Sequence, residues 1–389
     1  MTAVTQRRPA TSAAATRTRR IPGWRLLATP LLAWLASRVV VVVAIAVGNL
    51  VRGDGRSIAA ALHLWDGNWY LDAAGGYELP AVAAADVGKS DIAFFPLFPL
   101  AIRALTVLGL SPLAAGVVVT AVAGALAVVA IWLLVYRLEG VDTADRAAWL
   151  VALFPASVVL TMIYAEGVMM AAVAACLLAL HERRWVTAGI FAALASAARP
   201  NGIAVAAACA VAALLAIRQR REWRALAAPL LAPLGMVGYL GWLWLRTGAP
   251  EVWFRVQREG WGETMDFGRS SWVLLTRWVP RLVTDVPASW PPTVALRVLG
   301  LLVIAAGAVA LWRWRPPLTL TVYTVAILAL PLISRTLGAR PRFVFAAFPL
   351  LCALAWAVRG RWHRVLVTTS AVSLALVTVL YTTPGLVVP

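Results

Sequence analysis

Residues 27–51, LATPLLAWLASRVVVVVAIAVGNLV, form an apolar run that is long enough to cross a membrane as a helix. About 20 apolar residues span a hydrocarbon core of roughly 30 Å. Similar runs recur along the whole chain of 389 residues, of which 62% are hydrophobic and 13% charged. A soluble protein has about a quarter charged residues. Because the runs are continuous and do not alternate, we expect an all-α polytopic membrane protein.

The positive charge of the chain lies between these runs. The formal net charge is +18, and nearly all of it comes from arginine. Arginines in short loops mark the cytoplasmic side of a membrane, where they meet anionic lipid, so no nucleic-acid partner is predicted. Residues 1–26 are basic and rich in Ala and Thr, which favours a disordered cytoplasmic tail. The cysteines lie inside apolar runs and are predicted to be buried core residues: Cys176, Cys209 and Cys352.

The arginine clusters also fix the direction of the crossings. Three clusters are predicted to be cytoplasmic: RQRREWR (218–224), RWRPP (313–317) and RGRWHR (359–364). With the N-terminus inside, they give about 11 transmembrane helices, provided that residues 93–105 lie at the outer surface or re-enter it. The two prolines of AFFPLFPLAIRAL (93–105) favour that placement. Two large outer loops follow, at about 52–112 and about 247–292.

The first outer loop holds an unusually polar and aromatic stretch, LHLWDGNWYLDAAGGYELP (62–80). Its Asp66 is predicted to be a general base, because a partly dry, aromatic-walled pocket suits a carboxylate in that role. Trp65, Trp69 and Tyr70 offer a wall on which sugar rings stack. Capping of the following helix is the alternative role for Asp66. Four other carboxylates compete as the base: Asp72, Glu78, Asp86 and Asp91. No set of convergent ligands indicates a metal, and no cofactor is predicted.

Arginines on the outer side are candidates for binding an anion. Arg199 and Asn201 interrupt an otherwise apolar stretch, and a guanidinium at that depth needs a partner. That partner is a phosphate, bound by two hydrogen bonds, or the carboxylate of Glu166, and the two are compatible. The loop 247–292 is rich in Trp and charge, as a sugar-stacking surface would be. An anionic ligand or lipid phosphates are expected for three further outer arginines: Arg335, Arg340 and Arg342.

At these residues the sequence resembles the PIG-V family of mannosyltransferases, which belongs to the GT-C class of polytopic glycosyltransferases. The likeness is good in the N-terminal half of the chain and weak in the rest. The residues GNWY after Asp66 and the proline of RPNG (199–202) depart from the family pattern, which bears on the acceptor more than on the fold. Five motifs carry the likeness: WDGNWYLDAAGGY, AFFPLFPLAIRAL, LFPASVVLTMIYAEGVMM, ASAARPNG and PRFVFAAFPL.

The resemblance implies a GT-C-like transmembrane domain over residues 27–389. It implies a polyprenyl-phosphate-mannose donor, a lipid or glycan acceptor on the outer face of the cell membrane, and inversion at the sugar carbon. Asp66 falls on the position of the catalytic carboxylate. The residues expected to bind substrate, from these motifs and the features above, are Trp65, Trp69, Tyr164, Glu166, Arg199, Asn201, Arg340 and Arg342.

A single carboxylate suffices for such a transfer. A glycosidase also needs an acid to protonate its leaving alkoxide, whereas a phosphate leaves as an anion. Two alternatives stay open: a transferase for another polyprenyl-phosphate sugar, such as arabinofuranose, and a transporter or flippase of a lipid-linked sugar. A transporter should hold ionisable groups at the membrane midplane, whereas the acids here gather at the outer ends of the helices.

Overall fold

The structure is a computed structural model, and it describes residues 23–53, 55–80, 88–285, 290–387 and 389. Within these ranges the chain is helical, and no strand forms apart from one β-bridge between Met265 and Ser334. The predicted all-α polytopic fold is therefore confirmed. Residues 1–22 of the predicted basic tail, 1–26, lie outside the described residues.

The α-helices, numbered in chain order, are α1 Gly23–Arg52, α2 Ile58–Leu62, α3 Asp66–Gly75, α4 Leu97–Val107, α5 Pro112–Glu139, α6 Val141–Ala152, α7 Glu166–His181, α8 Trp185–Ala198, α9 Val205–Arg220, α10 Ala227–Leu231, α11 Leu234–Thr247, α12 Val252–Arg255, α13 Arg269–Val273, α14 Pro292–Trp314, α15 Leu318–Leu332, α16 Pro341–Ala346, α17 Pro349–Ala357 and α18 Gly360–Thr382. Short 3-10 and π turns join them at Asp91–Ala93, Pro155–Leu160, Pro200–Ala204, Trp223–Leu226, Val256–Gly260, Leu274–Trp278 and Pro280–Leu282.

Five helices of the described chain are long and apolar enough to cross a membrane. A sixth crossing results if α10 and α11, which are bent by 42° at the break between them, count as one span. The predicted count of about 11 is not confirmed by these lengths. Several helices are short or interrupted where a proline removes a backbone hydrogen bond and clashes with the preceding turn. The five long helices are those that contain Leu27–Arg52, Pro112–Glu139, Pro200–Arg220, Pro292–Trp314 and Gly360–Thr382.

Small residues let the central helices pack closely. A Cβ atom added at Gly167 in α7 would lie 3.0 Å from the backbone nitrogen of Gly124 in α5. Close approach of this kind is how helices associate in lipid, where apolar side chains gain little from one another. The three cysteines are buried and free, as predicted.

Polar segments from different parts of the chain pack around one cavity. α4 has 11 residues and rises only about 16 Å, so the segment predicted not to cross is too short to do so. The turn before α4, Asp91–Ala93, is held by Tyr239 of α11, whose hydroxyl donates to the carbonyl of Ile92 at 2.8 Å. The second outer loop is joined to the loop after α15 by the Met265–Ser334 bridge. These contacts bring segments that are far apart in sequence around one cavity.

Candidate active site

A cavity of about 420 Å³ lies between α3, the turn after α8, the second outer loop and the start of α16. Its aromatic lining is Phe94, Phe95, Trp253, Trp261 and Phe343. Its polar lining is Asp66, Tyr70, Arg199, Asn201, Gln257, Glu263, Thr264, Ser334 and Arg342. Mostly apolar walls with a few convergent polar groups are typical of a ligand site.

Asp66 is the first residue of α3 and binds Arg342 across the cavity. The Nη1 atom of Arg342 donates to Oδ2 of Asp66 at 2.5 Å, and the two side chains are 9% and 14% exposed. The backbone N–H of Asp66 points to the hydroxyl oxygen of Tyr164 at 3.4 Å. The carboxylate of Asp66 is therefore paired with the guanidinium of Arg342 and does not cap α3, which was its alternative role.

Trp65 turns the chain sharply just before Asp66. Its φ of 60° and ψ of −119° are costly for a bulky residue, and such strain persists only where the surroundings hold it. The indole N–H of Trp65 donates to the carbonyl of Tyr381 at 2.7 Å, which ties the turn to the end of α18. This contact fixes the direction in which Asp66 enters the cavity.

A second buried ion pair lies beside the first. The Nη1 atom of Arg199 is 2.8 Å from Oε1 of Glu166, and their side chains are 9% and 3% exposed. The same nitrogen lies 3.4 Å from the hydroxyl of Tyr70. The pairing of Arg199 with Glu166, one of the two partners predicted from the sequence, is thus present in the structure.

The turn that carries Asn201 depends on a glycine. A Cβ atom at Gly202 would lie 2.0 Å from the carbonyl oxygen of Ala195, so a larger residue would push the turn away from α8. The turn starts at Pro200, directly after Arg199, whose extended backbone ends the helix. Arg199 and Asn201 are thereby presented to the cavity by irregular backbone between two helices.

Several buried polar atoms around the cavity have no hydrogen-bond partner among the described residues. They include donors and acceptors: Nε of Arg199, Nε of Arg342, Nε1 of Trp253, Nε1 of Trp261, Oδ1 of Asn201 and Oε2 of Glu166. Buried polar groups are nearly always satisfied by protein, water or ligand. The two ion pairs, Arg199–Glu166 and Arg342–Asp66, have no net formal charge. The unpaired atoms are therefore available to a ligand with both acceptor and donor groups.

Residues 94–334 match the model of glycosyltransferase family 87, which is more than half of the chain. The chain belongs to glycosyltransferase family 87. Membership of this family agrees with the expected enzyme class, a glycosyltransferase. No curated protein matches the chain in sequence. The mannose specificity implied by the resemblance to PIG-V is not tested by this match.

The solved structures of ArnT from Cupriavidus metallidurans share the fold of this family 87 protein. The structure bound to undecaprenyl phosphate has a TM-score of 0.53 at 18% identity, covering 88% of this chain and 62% of that chain. The apo structure has a TM-score of 0.51 at 18% identity, covering 85% and 60%. The chain thus spans about three fifths of the length of ArnT. The likeness places the family 87 chain in the GT-C fold class.

Five of the residues singled out from the sequence line the cavity of this family 87 protein: Asp66, Tyr70, Arg199, Asn201 and Arg342. Glu166 and Tyr164 lie behind them, where Glu166 holds Arg199 and the Tyr164 ring lies 5.7 Å from the Arg342 guanidinium. The sequence placed these residues on one side of the membrane, and the structure brings them into one network.

The remaining predicted residues lie outside the cavity lining. Trp65 is held by Tyr381, and Trp69 packs edge-on against Trp261 at 5.3 Å between ring centres. The aromatic wall is thus formed by Trp261 and its neighbours, with Trp69 behind it. Arg340 donates to the carbonyl of Pro389 at 3.3 Å, and burial lowers its pKa to about 10. Substrate roles for Trp65, Trp69 and Arg340 stay predictions.

Glu263 is a cavity residue that the sequence did not single out. It accepts a hydrogen bond from Ser334 at 2.9 Å and another from Thr336. The sequence pointed to Glu263 only through its place in the Trp-rich second outer loop. Its contact with Ser334 could not be predicted, because no sequence spacing links the two segments. The carboxylate of Glu263 is thereby fixed in the lining of the same cavity as Asp66.

The competing carboxylates lie elsewhere or outside the described residues. Asp72 and Glu78 are exposed. Asp91 is buried and accepts the backbone N–H of Glu78 at 3.1 Å, and burial raises its pKa. Asp86 lies outside the described residues. Among the described residues no group of three or more His, Cys, Asp or Glu side chains could hold a metal ion, and the predicted lack of a metal stays a prediction.

Proposed function

We propose that the protein transfers mannose from a polyprenyl-phosphate-mannose donor to a lipid or glycan acceptor at the outer face of the membrane. The observation that carries the proposal is the cavity in which the carboxylate of Asp66 faces two buried arginines, Arg199 and Arg342. A carboxylate accepts the proton of an attacking hydroxyl, and arginines neutralise a departing phosphate. ArnT, which has the same fold, was crystallised with undecaprenyl phosphate, and this supports a polyprenyl-phosphate donor.

Arg342 has two roles in this mechanism. Before substrate binds, its guanidinium donates a hydrogen bond to Oδ2 of Asp66. The donor phosphate competes for the same guanidinium, because a phosphate accepts two parallel hydrogen bonds from arginine. As Arg342 turns to the phosphate, Oδ2 of Asp66 becomes free to accept a proton. Binding of the donor is therefore proposed to precede activation of the acceptor.

The chemical step is then a single displacement. Asp66 takes the proton of the acceptor hydroxyl as its oxygen forms a bond to the anomeric carbon. The bond between that carbon and the phosphate oxygen breaks, and polyprenyl phosphate leaves with the electron pair. Attack from the face opposite the leaving group inverts the configuration. No second acid is needed, because the phosphate leaves as an anion.

Arg199 is proposed to bind the same phosphate while Glu166 keeps its side chain in place. Nε of Arg199 is buried and has no partner in the described chain, so the guanidinium retains a donor for a ligand. Asn201, two residues on, lines the cavity with an unpaired amide oxygen that suits a sugar hydroxyl. The turn between α8 and α9 would thus contact both the phosphate and the sugar.

Placement of the site at the outer face rests on the charge of α9. The span that includes α9, Pro200–Arg220, has 21 residues and rises about 30 Å, the thickness of a hydrocarbon core. Its last turn contains Arg218 and Arg220, which the charge rule places in the cytoplasm. Its first residue borders the cavity. The cavity is therefore proposed to open on the opposite, extracytoplasmic side.

Transfer can be tested with purified protein in lipid nanodiscs and radiolabelled polyprenyl-phosphate mannose, with a membrane lipid extract as acceptor. We expect label in a new product and release of polyprenyl phosphate, both lost in the Asp66→Asn variant. Transfer only from polyprenyl-phosphate arabinofuranose would show the sugar to be wrong. Movement of the intact donor across proteoliposomes, without release of polyprenyl phosphate, would show a flippase instead.

A further inference from the structure

A second, separate groove lies on the other side of α11 from the active-site cavity. It has a volume of about 630 Å³, within the range of small-molecule sites. We infer that this groove binds an anionic phospholipid of the membrane, with its phosphate between Arg103 and Arg246 and an acyl chain along the apolar floor. The described residues that line it are Ala73, Gly76, Tyr77, Leu79, Pro96, Pro99, Leu100, Arg103, Gly235, Gly238, Tyr239, Trp242 and Arg246.

The floor of the groove is apolar and open. On α11 the lining residues recur every three or four positions, from Gly235 through Gly238 and Trp242 to Arg246, so they form one helix face. A Cβ atom at Gly238 would meet nothing within 4 Å. The hydroxyl of Tyr239 is already bonded to the Ile92 carbonyl, so its ring adds apolar surface. An alkyl chain fits such a floor, whereas a polar ligand would leave its groups unpaired.

The rim of the groove is cationic. Arg103 of α4 and Arg246 of α11 both line it, both are exposed, and neither has an ion-pair partner among the described residues. No described residue of the lining is acidic. Arginine binds phosphate through two parallel hydrogen bonds, and basic residues at a membrane surface attract anionic lipid. The charge therefore favours an anionic headgroup over a zwitterionic one.

The groove is distinct from the proposed donor site. Phe95 lines the active-site cavity and Tyr239 lines the groove, and their rings are packed 4.9 Å apart between centres. On α11, Met236 lines the cavity whereas Gly238 and Trp242 line the groove. A lipid in the groove would therefore press on the back of the cavity wall without reaching Asp66.

The inference is tested by direct binding, which does not require that the proposed reaction be correct. Full-length protein in detergent is titrated with phosphatidylglycerol and, separately, with phosphatidylcholine of the same acyl chains, and bound lipid is counted by native mass spectrometry. We expect preferential retention of phosphatidylglycerol. The double variant Arg103→Gln/Arg246→Gln should weaken it about 30-fold, since each basic residue near an anionic lipid contributes about 1 kcal/mol.

A pair of glycine variants on α11 separates the groove from the rest of the surface. Gly238→Leu places a side chain in the open groove, where a Cβ atom meets nothing within 4 Å, and should expel the acyl chain. Gly241→Leu is the matched control, because its Cβ atom also meets nothing within 4 Å but the residue does not line the groove. Phosphatidylglycerol retention should be lost in the first variant and unchanged in the second.

Three results would overturn the inference. One is equal retention of phosphatidylglycerol in Gly238→Leu and in Gly241→Leu. Another is equal retention of phosphatidylcholine and phosphatidylglycerol by the wild-type protein. The third is displacement of phosphatidylglycerol by added polyprenyl phosphate, which would assign the groove to the donor lipid.

Discussion

Replacement of Asp66 by Asn separates the proposed catalytic role of this residue from its structural one. Asparagine keeps the shape of the side chain but cannot accept the proton of the acceptor. Loss of a general base lowers turnover by roughly 10² to 10⁴, which is about 3 to 5 kcal/mol in the activation barrier. The binding of the donor should survive, because Arg342 is released from Asp66 and remains free to meet the phosphate.

The same substitution also breaks a buried ion pair. Removal of one partner of such a pair costs about 3 to 5 kcal/mol, because the other charge is left without compensation. Asp66 is 14% exposed, and Glu166 also attracts Arg342, so we expect the lower end, about 3 kcal/mol. The lower stability should appear as a fall in Tm, measured by scanning fluorimetry beside the transfer assay.

The double variant Asp66→Asn/Arg342→Gln tells the two effects apart. It removes both charges, so the Tm should return towards the wild-type value while turnover stays low. Asp72→Asn is the matched control, since Asp72 lies on the same helix but is exposed and should retain near-native turnover. Recovery of turnover in the double variant would mean that Asp66 only compensates the charge of Arg342 and that neither side chain takes part in the reaction. Near-native turnover in Asp66→Asn alone would refute the assignment of the base.

Three further predictions follow from the same geometry. Arg199→Lys should raise the donor KM and lower kcat, because an ammonium cannot make the two parallel hydrogen bonds to phosphate that a guanidinium makes. Glu166→Gln should mainly lower the Tm. Unchanged donor kinetics in Arg199→Lys would exclude the phosphate contact. In a background without native cysteines, a membrane-impermeant thiol reagent should label Asn201→Cys only from outside and Arg220→Cys only from the cytoplasm. The reverse pattern would place the active site on the cytoplasmic face and refute the proposed orientation. Burial raises the pKa of the Asp91 carboxyl in the folded state, so the folded state binds this proton more tightly than the unfolded state does. The free energy of unfolding should therefore fall as the pH rises from the pKa of the unfolded state, about 4, through the raised pKa of the folded state. Asp91→Asn has no carboxylate to bury, so the Tm of this variant minus that of the wild type should increase over the same pH range. A Tm difference that does not change with pH would contradict the raised pKa.

The sequence by itself determined the membrane character, the helical class and the regions that hold the polar site. Apolar runs and prolines act locally, since each residue contributes to hydropathy and to helix breaking wherever it lies. The partner of Arg199 could also be named as an alternative, because a guanidinium among apolar residues needs an anion and Glu166 was the acidic neighbour. Hydropathy could not fix the number of crossings, because helices such as α6 and α16 are cut short by local breaks.

Only the tertiary structure decided which side chains face one another. Asp66 and Arg342 are 276 residues apart, and no periodicity links them until the start of α16 packs beside α3. Arg340 and Arg342 look alike in sequence, but Arg340 has extended backbone just before α16 whereas Arg342 lies in its first turn, and only Arg342 enters the cavity. The aromatic wall shows the same limit, since Trp261 lines the cavity while Trp69 packs behind it. Composition gives the kinds of residues at a membrane face, whereas the direction of each side chain depends on long-range packing.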